Sequence, residues 1–226
     1  LQGPAFGVWL DATPDVTVRE NHIRGDTSLR SQDRGNGIHL FNTTGALIEG
    51  NDISETRDAI YIETANRNTI RGNVMSDLRY GIHYMYSMHN LLENNVTRGT
   101  RTGYALMQSK YLKVFNNRSE NDENYGILMN FITNSELRNN VVTGVSQGQS
   151  AGVVISGAEG KAVFIYNSLY NTFEGNYFGH SNIGIHLTAG SEENQVFNNA
   201  FVENQRQVKY VATRTQFWAE DGKGNY

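Results

Sequence analysis

The sequence predicts a right-handed parallel β-helix of about eight to nine stacked coils, most of them 22 or 23 residues long. Three observations predict it. A small residue followed by an apolar one recurs along the chain, an asparagine recurs at a fixed offset from that pair, and between these marks the apolar residues alternate with period 2.

The small–apolar pairs are Gly7-Val8, Gly37-Ile38, Ala59-Ile60, Gly81-Ile82, Gly103-Tyr104, Gly126-Ile127, Gly152-Val153 and Gly184-Ile185, with successive spacings of 30, 22, 22, 22, 23, 26 and 32. The asparagines are Asn21, Asn51, Asn73, Asn95, Asn117, Asn140, Asn176 and Asn199. In the first six units the asparagine follows the small residue by 14 positions, and the last two units carry ten extra residues and one extra residue. The chain therefore reads as one domain over residues 1–226 with an insertion around 156–171.

Period-2 alternation sends successive side chains to opposite faces of a strand. One inward column runs Val8, Ile38, Ile60, Ile82, Tyr104, Ile127, Val153, Ile185, and a second runs Leu10, Leu40, Ile62, Tyr84, Leu106, Met129, Ile155, Leu187. A third lies three residues before each asparagine and a weaker fourth two residues after it, the latter interrupted by Thr97 and Ser119. The residue before the asparagine is Gly or Asn in seven of eight units, with Glu20 the exception. Gly and Asn tolerate positive φ, so this column reads as a tight left-handed turn. The asparagines that follow it are expected to stack as a ladder of side-chain amides, each NH₂ donating to the next C=O.

Composition narrows the function. The 226 residues are 38% hydrophobic and 19% charged, with net charge −4 and scattered Lys and Arg, which argues against nucleic acid as a partner. There is no cysteine, hence neither a disulfide nor a thiolate metal site. Only two prolines occur, as stacked hydrogen-bonded strands require. Leu1 opens the chain close to a coil without a cap, and residues 220–225 read as a polar turn that leads nowhere, so the coils are expected to extend at both ends.

Function is expected on the outward positions. Two residues after the small one stand Trp9, His39, Tyr61, His83, Ala105, Leu128, Val154 and His186; four after it stand Asp11, Phe41, Glu63, Met85, Met107, Asn130, Ser156 and Thr188. Met85 and Met107 share a column in adjacent coils, which places their Cα atoms ~5 Å apart, with His83 on the same face ~6.6 Å along the strand. Three of the five methionines (Met85, Met88, Met107) and three of the six histidines (His83, His89, His39) lie in or next to this patch. Thioether sulfur is a poor ligand for zinc, magnesium or calcium and a good one for Cu(I). The patch therefore reads as a transient Cu(I) site, with His83, Met85 and Met107 as primary ligands and Met88, His89 and His39 as alternates. Trp9, Phe41, Tyr61 and Tyr86 read as a surrounding docking surface. The plainer reading is an apolar docking face with no metal. Met75 and Met129 fall in inward columns and read as core, while Asp11, Glu63 and Asp58 read as isolated, solvated acids.

At these residues the chain resembles a known family. The runs Gly35-Asn36-Gly37-Ile38-His39-Leu40-Phe41-Asn42-Thr43, Gly50-Asn51-Asp52-Ile53, Arg57-Asp58-Ala59-Ile60 and above all Asp77-Leu78-Arg79-Tyr80-Gly81-Ile82-His83-Tyr84-Met85-Tyr86 are similar to the NosD family. The likeness covers the chain and is strongest over residues 35–118. It implies a periplasmic, non-enzymatic accessory protein for assembly of the copper-sulfur centre of nitrous oxide reductase (NosZ). It further implies work with an ABC transporter made of the ATPase NosF and the membrane subunit NosY, and copper supplied by the lipoprotein chaperone NosL. Two other readings stand beside it. One is a uronate polysaccharide lyase or C5-epimerase, for which Arg57, Arg79 and Arg101 recur one coil apart, though no calcium-binding Asp cluster accompanies them. The other is a docking scaffold that binds no metal.

Overall fold

The computed structural model describes residues 1–147, 158–214 and 216–226. Among these, three all-parallel sheets of nine, nine and eight strands wrap a single core, giving a parallel β-helix of about nine turns. Each coil contributes one strand to each sheet. The broad sheet carries strands such as Asp58–Glu63, Tyr80–Met85, Thr102–Met107 and Tyr125–Asn130, and the two narrow sheets carry three-residue strands such as Leu91–Glu93 and Val96–Arg98.

The inward columns meet as the alternation requires. Ile60, Ile82, Tyr104 and Ile127 are register partners in adjacent strands and are buried, as are Ile62, Tyr84, Leu106 and Met129 beside them. Burying each such aliphatic side chain contributes ~1.5–3 kcal/mol. The small-residue column lets coils close on one another: a Cβ on Gly37 would lie 2.5 Å from Ile53 Cγ2 and 2.7 Å from the Ala59 carbonyl oxygen.

The asparagine ladder runs the length of the rod. Asn51 Nδ2 donates to Asn73 Oδ1 at 2.9 Å, Asn73 to Asn95 at 2.9 Å and Asn95 to Asn117 at 2.9 Å, and the chain of donors continues through Asn140, Asn176 and Asn199. The preceding residue is left-handed in the eight coils from Glu20 (φ 54°) to Asn198 (φ 55°). Asn225 adds a further rung, accepting from Asn199 Nδ2 at 3.0 Å, so residues 220–225 join the stack where the sequence suggested a turn leading nowhere. A second polar stack, in the turn after the broad sheet, links Ala46 N to Asn68 Oδ1, Asn68 N to Asn90 Oδ1 and Ser87 N to Ser109 Oγ.

The seventh coil corrects the sequence-derived frame. Val163 and Ile165, not Val153 and Ile155, pair with Ile127 and Met129, and Phe164 and Tyr166, not Val154 and Ser156, take the outward positions. Residues 148–157, which hold Gly152-Val153, lie outside the described residues. With Ala162 as the small residue, Asn176 again follows by 14 positions. The extra length therefore precedes Lys161–Tyr166, and residues 161–171, expected inside an insertion, form a regular strand and turn.

Candidate metal centre on the broad sheet

The outward face of the broad sheet begins with an aromatic column. Trp9 packs on His39 with ring centroids 4.0 Å apart, His39 on Tyr61 at 4.7 Å, and Tyr61 on His83 at 4.7 Å. Tyr80 closes the other side of His83 at 4.9 Å. These neighbours cover the imidazoles. His39 and His83 leave the sheet on its outer side as alternation predicts, yet both are buried, at 6% and 8% exposure. Burial, followed by the charge of Arg57, pushes the pKa of His39 down to about 4, so its ring is neutral.

His83 has a partner that the sequence did not suggest. Its Nδ1 lies 3.0 Å from Asp58 Oδ2. Asp58 has no exposed surface, and Arg79 grips it with two charge-assisted bonds, Nε to Oδ1 at 2.8 Å and Nη2 to Oδ2 at 2.7 Å. Burial pushes the Asp58 pKa up. The hydrogen bonds from His83 and Arg79, with the charge of Arg79, outweigh it and hold the carboxyl below its ordinary value, so Asp58 is ionised. The reading of Asp58 as a solvated acid is thus overturned. Arg79 in turn lies 4.5 Å over the Tyr80 ring. It is therefore engaged within the protein, unlike the free cations a polysaccharide groove would need. One signal could have found this cluster. Asp58 is the acid in a register column that continues with Tyr80, Thr102 and Tyr125, and Arg79 follows Arg57 by one coil.

Met85 and Met107 are register partners in adjacent strands, each half-buried, with Glu63 beyond Met85 and Asn130 beyond Met107. Met88 is half-buried in the following turn, where it bridges to Lys110, and its N–H donates to Asn66 Oδ1 at 2.7 Å. His89 is exposed and stacks on Tyr111 at 4.8 Å. His39 stands two coils from His83 with the Tyr61 ring between them, so the structure separates it from the methionines. Of the docking residues, Trp9, Phe41 and Tyr86 are exposed and Tyr61 is half-buried.

The donors suit a soft monovalent metal. Two thioethers emerge side by side, and two residues from Met85 the Nε2 of His83 is buried without a hydrogen-bond partner. Leaving such a nitrogen unpaired costs about 1–3 kcal/mol unless a ligand takes it. Among the described residues no three His, Asp or Glu side chains converge as a cage for a hard cation.

The family model described as periplasmic copper-binding protein (NosD) matches residues 19–226. The chain belongs to the NosD family. Two curated NosD proteins, each called a probable ABC transporter binding protein, are similar throughout. That of Pseudomonas aeruginosa is 64% identical over 226 residues, covering all of this chain and 53% of the relative. That of Stutzerimonas stutzeri is 61% identical over 227 residues, covering all of this chain and 52% of the relative. The chain thus spans about half the length of the curated relatives it matches. Among solved structures, the tailspike protein of Escherichia coli bacteriophage HK620 in complex with a pentasaccharide superposes with a TM-score of 0.57 at 11% identity, over 92% of this chain and 48% of the tailspike. A double mutant of that tailspike gives 0.52 at 12% identity. At such identity the likeness is one of fold.

Proposed function

We propose that this NosD-family β-helix is a periplasmic copper carrier that holds Cu(I) on its broad outer sheet and passes it on for assembly of the copper-sulfur centre of nitrous oxide reductase (NosZ). Met85 and Met107 supply sulfur and His83 supplies nitrogen, with Met88 and His89 in the adjoining turn as further donors along the exit path. The carrying observation is the register pairing of Met85 with Met107, which presents two thioethers from one rigid surface. Thioether and imidazole ligands hold Cu(I) without the permanence of thiolate, so a client offering better donors can take it by ligand exchange. The exposed rings of Trp9, Phe41 and Tyr86, with half-buried Tyr61, border the same face and suit a client that docks while the metal moves. The lipoprotein NosL would load the site, and the NosF–NosY transporter would couple ATP hydrolysis to the cycle.

Titration with Cu(I) against a competing chelator tests this reading. The wild-type chain is expected to take up one equivalent that Met85→Ala/Met107→Ala loses. Equal stoichiometry and affinity in both proteins would place the copper site elsewhere.

A further inference from the structure

The geometry points to Asp58 as a positioning residue that sets which imidazole on the broad sheet offers a lone pair, and so selects His83 over His39 as the nitrogen donor beside Met85 and Met107, an assignment that rests on the copper reading above. A carboxylate oxygen only accepts hydrogen bonds. Asp58 receives Arg79 on both oxygens and His83 Nδ1 on Oδ2 at 3.0 Å, so His83 Nδ1 carries a hydrogen. In the metal-binding form of the ring, which has a single hydrogen, the lone pair is then on Nε2, the atom that has no hydrogen-bond partner. This is the arrangement by which an outer carboxylate orients a metal-binding histidine and raises its basicity. Arg79 completes it: its two parallel bonds keep Asp58 from rotating away from the ring.

His39 lacks such a device. Its Nδ1 faces Asn36 Nδ2 at 3.2 Å, which can only donate, so Nδ1 accepts and the hydrogen of the neutral ring sits on Nε2, which is buried without a partner and offers no lone pair. His39 is also screened from the methionines by Tyr61. His186 has an unpaired Nδ1 but lies beside Phe164 and Lys209, far along the rod from both sulfurs. Of these three imidazoles, His83 alone combines a lone pair on an unpaired Nε2 with a thioether two residues away.

Long-range ¹H–¹⁵N correlation spectra of the full chain, ¹⁵N-labelled and metal-free, test the assignment before any copper is added. The expected result is a protonated Nδ1 and an unprotonated Nε2 on His83. A hydrogen on Nε2 overturns the proposal without any variant having to fold. Asp58→Asn, and Asp58→Ala as the variant with no acceptor, are expected to release the single tautomer and weaken Cu(I) binding by about 10- to 100-fold. His39→Phe is expected to leave Cu(I) binding unchanged. Unchanged affinity in folded Asp58 variants overturns the positioning role. Cu(I) that shifts the Met85 and Met107 methyl signals but not His83 Nε2 overturns the choice of nitrogen donor. Cu(I) that shifts neither overturns the carrier reading and this role with it, while the metal-free spectrum still reports whether Asp58 holds the ring.

Discussion

Met85 stands opposite Met107 in the parallel register of two neighbouring strands, so both thioethers leave the same face of the broad sheet one coil apart. A stack of in-register coils holds the two backbone positions at the inter-strand spacing of ~4.8 Å.

Replacing Met85 and Met107 by Leu separates ligation from packing. Met and Leu have similar volumes, so the double variant should lose less than about 1.5 kcal/mol of stability in urea unfolding. Its Cu(I) affinity should fall by at least about tenfold, or about 1.4 kcal/mol, in chelator competition. Met75→Leu and Met129→Leu, at fully buried core positions, should leave affinity unchanged.

The asparagine ladder should be strongest at mid-rod. Asn95 donates to Ile70 O and Asn117 Oδ1, each at 2.9 Å, and accepts from the backbone and side chain of Asn73, all within buried surroundings. Asn95→Ala orphans several of these groups at once and should cost about 3 kcal/mol or more. Asn21→Ala, at the solvated first rung, should cost about 1 kcal/mol or less. Chemical denaturation of the two variants checks the ordering.

Two buried tyrosines should respond oppositely to loss of their hydroxyls. Tyr84 Oη is buried with no partner, whereas the single hydroxyl hydrogen of Tyr104 has two carbonyl acceptors in reach, Asn95 O at 2.8 Å and Arg118 O at 3.0 Å. Tyr84→Phe should be neutral or stabilising by up to about 1 kcal/mol, and Tyr104→Phe destabilising by about 1 kcal/mol. Melting temperatures of the pair would decide it.

Asp122 should give the rod a pH-dependent element of stability. It is buried and accepts from Ser119 Oγ at 2.6 Å, Thr97 Oγ1 at 2.7 Å, Thr100 Oγ1 at 2.7 Å and Thr100 N at 2.8 Å. Burial raises its pKa above the ordinary 3.8, and the four donors offset only part of that rise. The folded state therefore holds this proton more tightly than the unfolded chain. The group's contribution is fully present below the unfolded value and lost as pH rises through the raised folded value. Relative to Asp122→Asn, wild type should gain stability as pH falls from neutral toward the ordinary aspartate range. A difference independent of pH in urea unfolding would refute it.

The sequence by itself determined the coil period, the inward columns, the left-handed turn and the asparagine ladder. These are legible because each coil repeats one set of local constraints, and each rung must satisfy its buried amides against the next. It also brought Met85 and Met107 into one column, since a shared offset in equal coils is a shared register. Tertiary structure alone decided the seventh coil, where the residues added before Lys161 shift the frame and only strand pairing shows that Ala162-Val163 follows Gly126-Ile127. It alone decided that His39 and His83 are covered, because alternation tells which face a side chain leaves but not what its neighbours in adjacent coils lay over it. The contact of His83 with Asp58 and Arg79 is of the same kind. Asp58 lies 21 residues before Arg79 and 25 before His83 and meets them only because successive coils stack, so their chemistry belongs to the stack and not to any one segment.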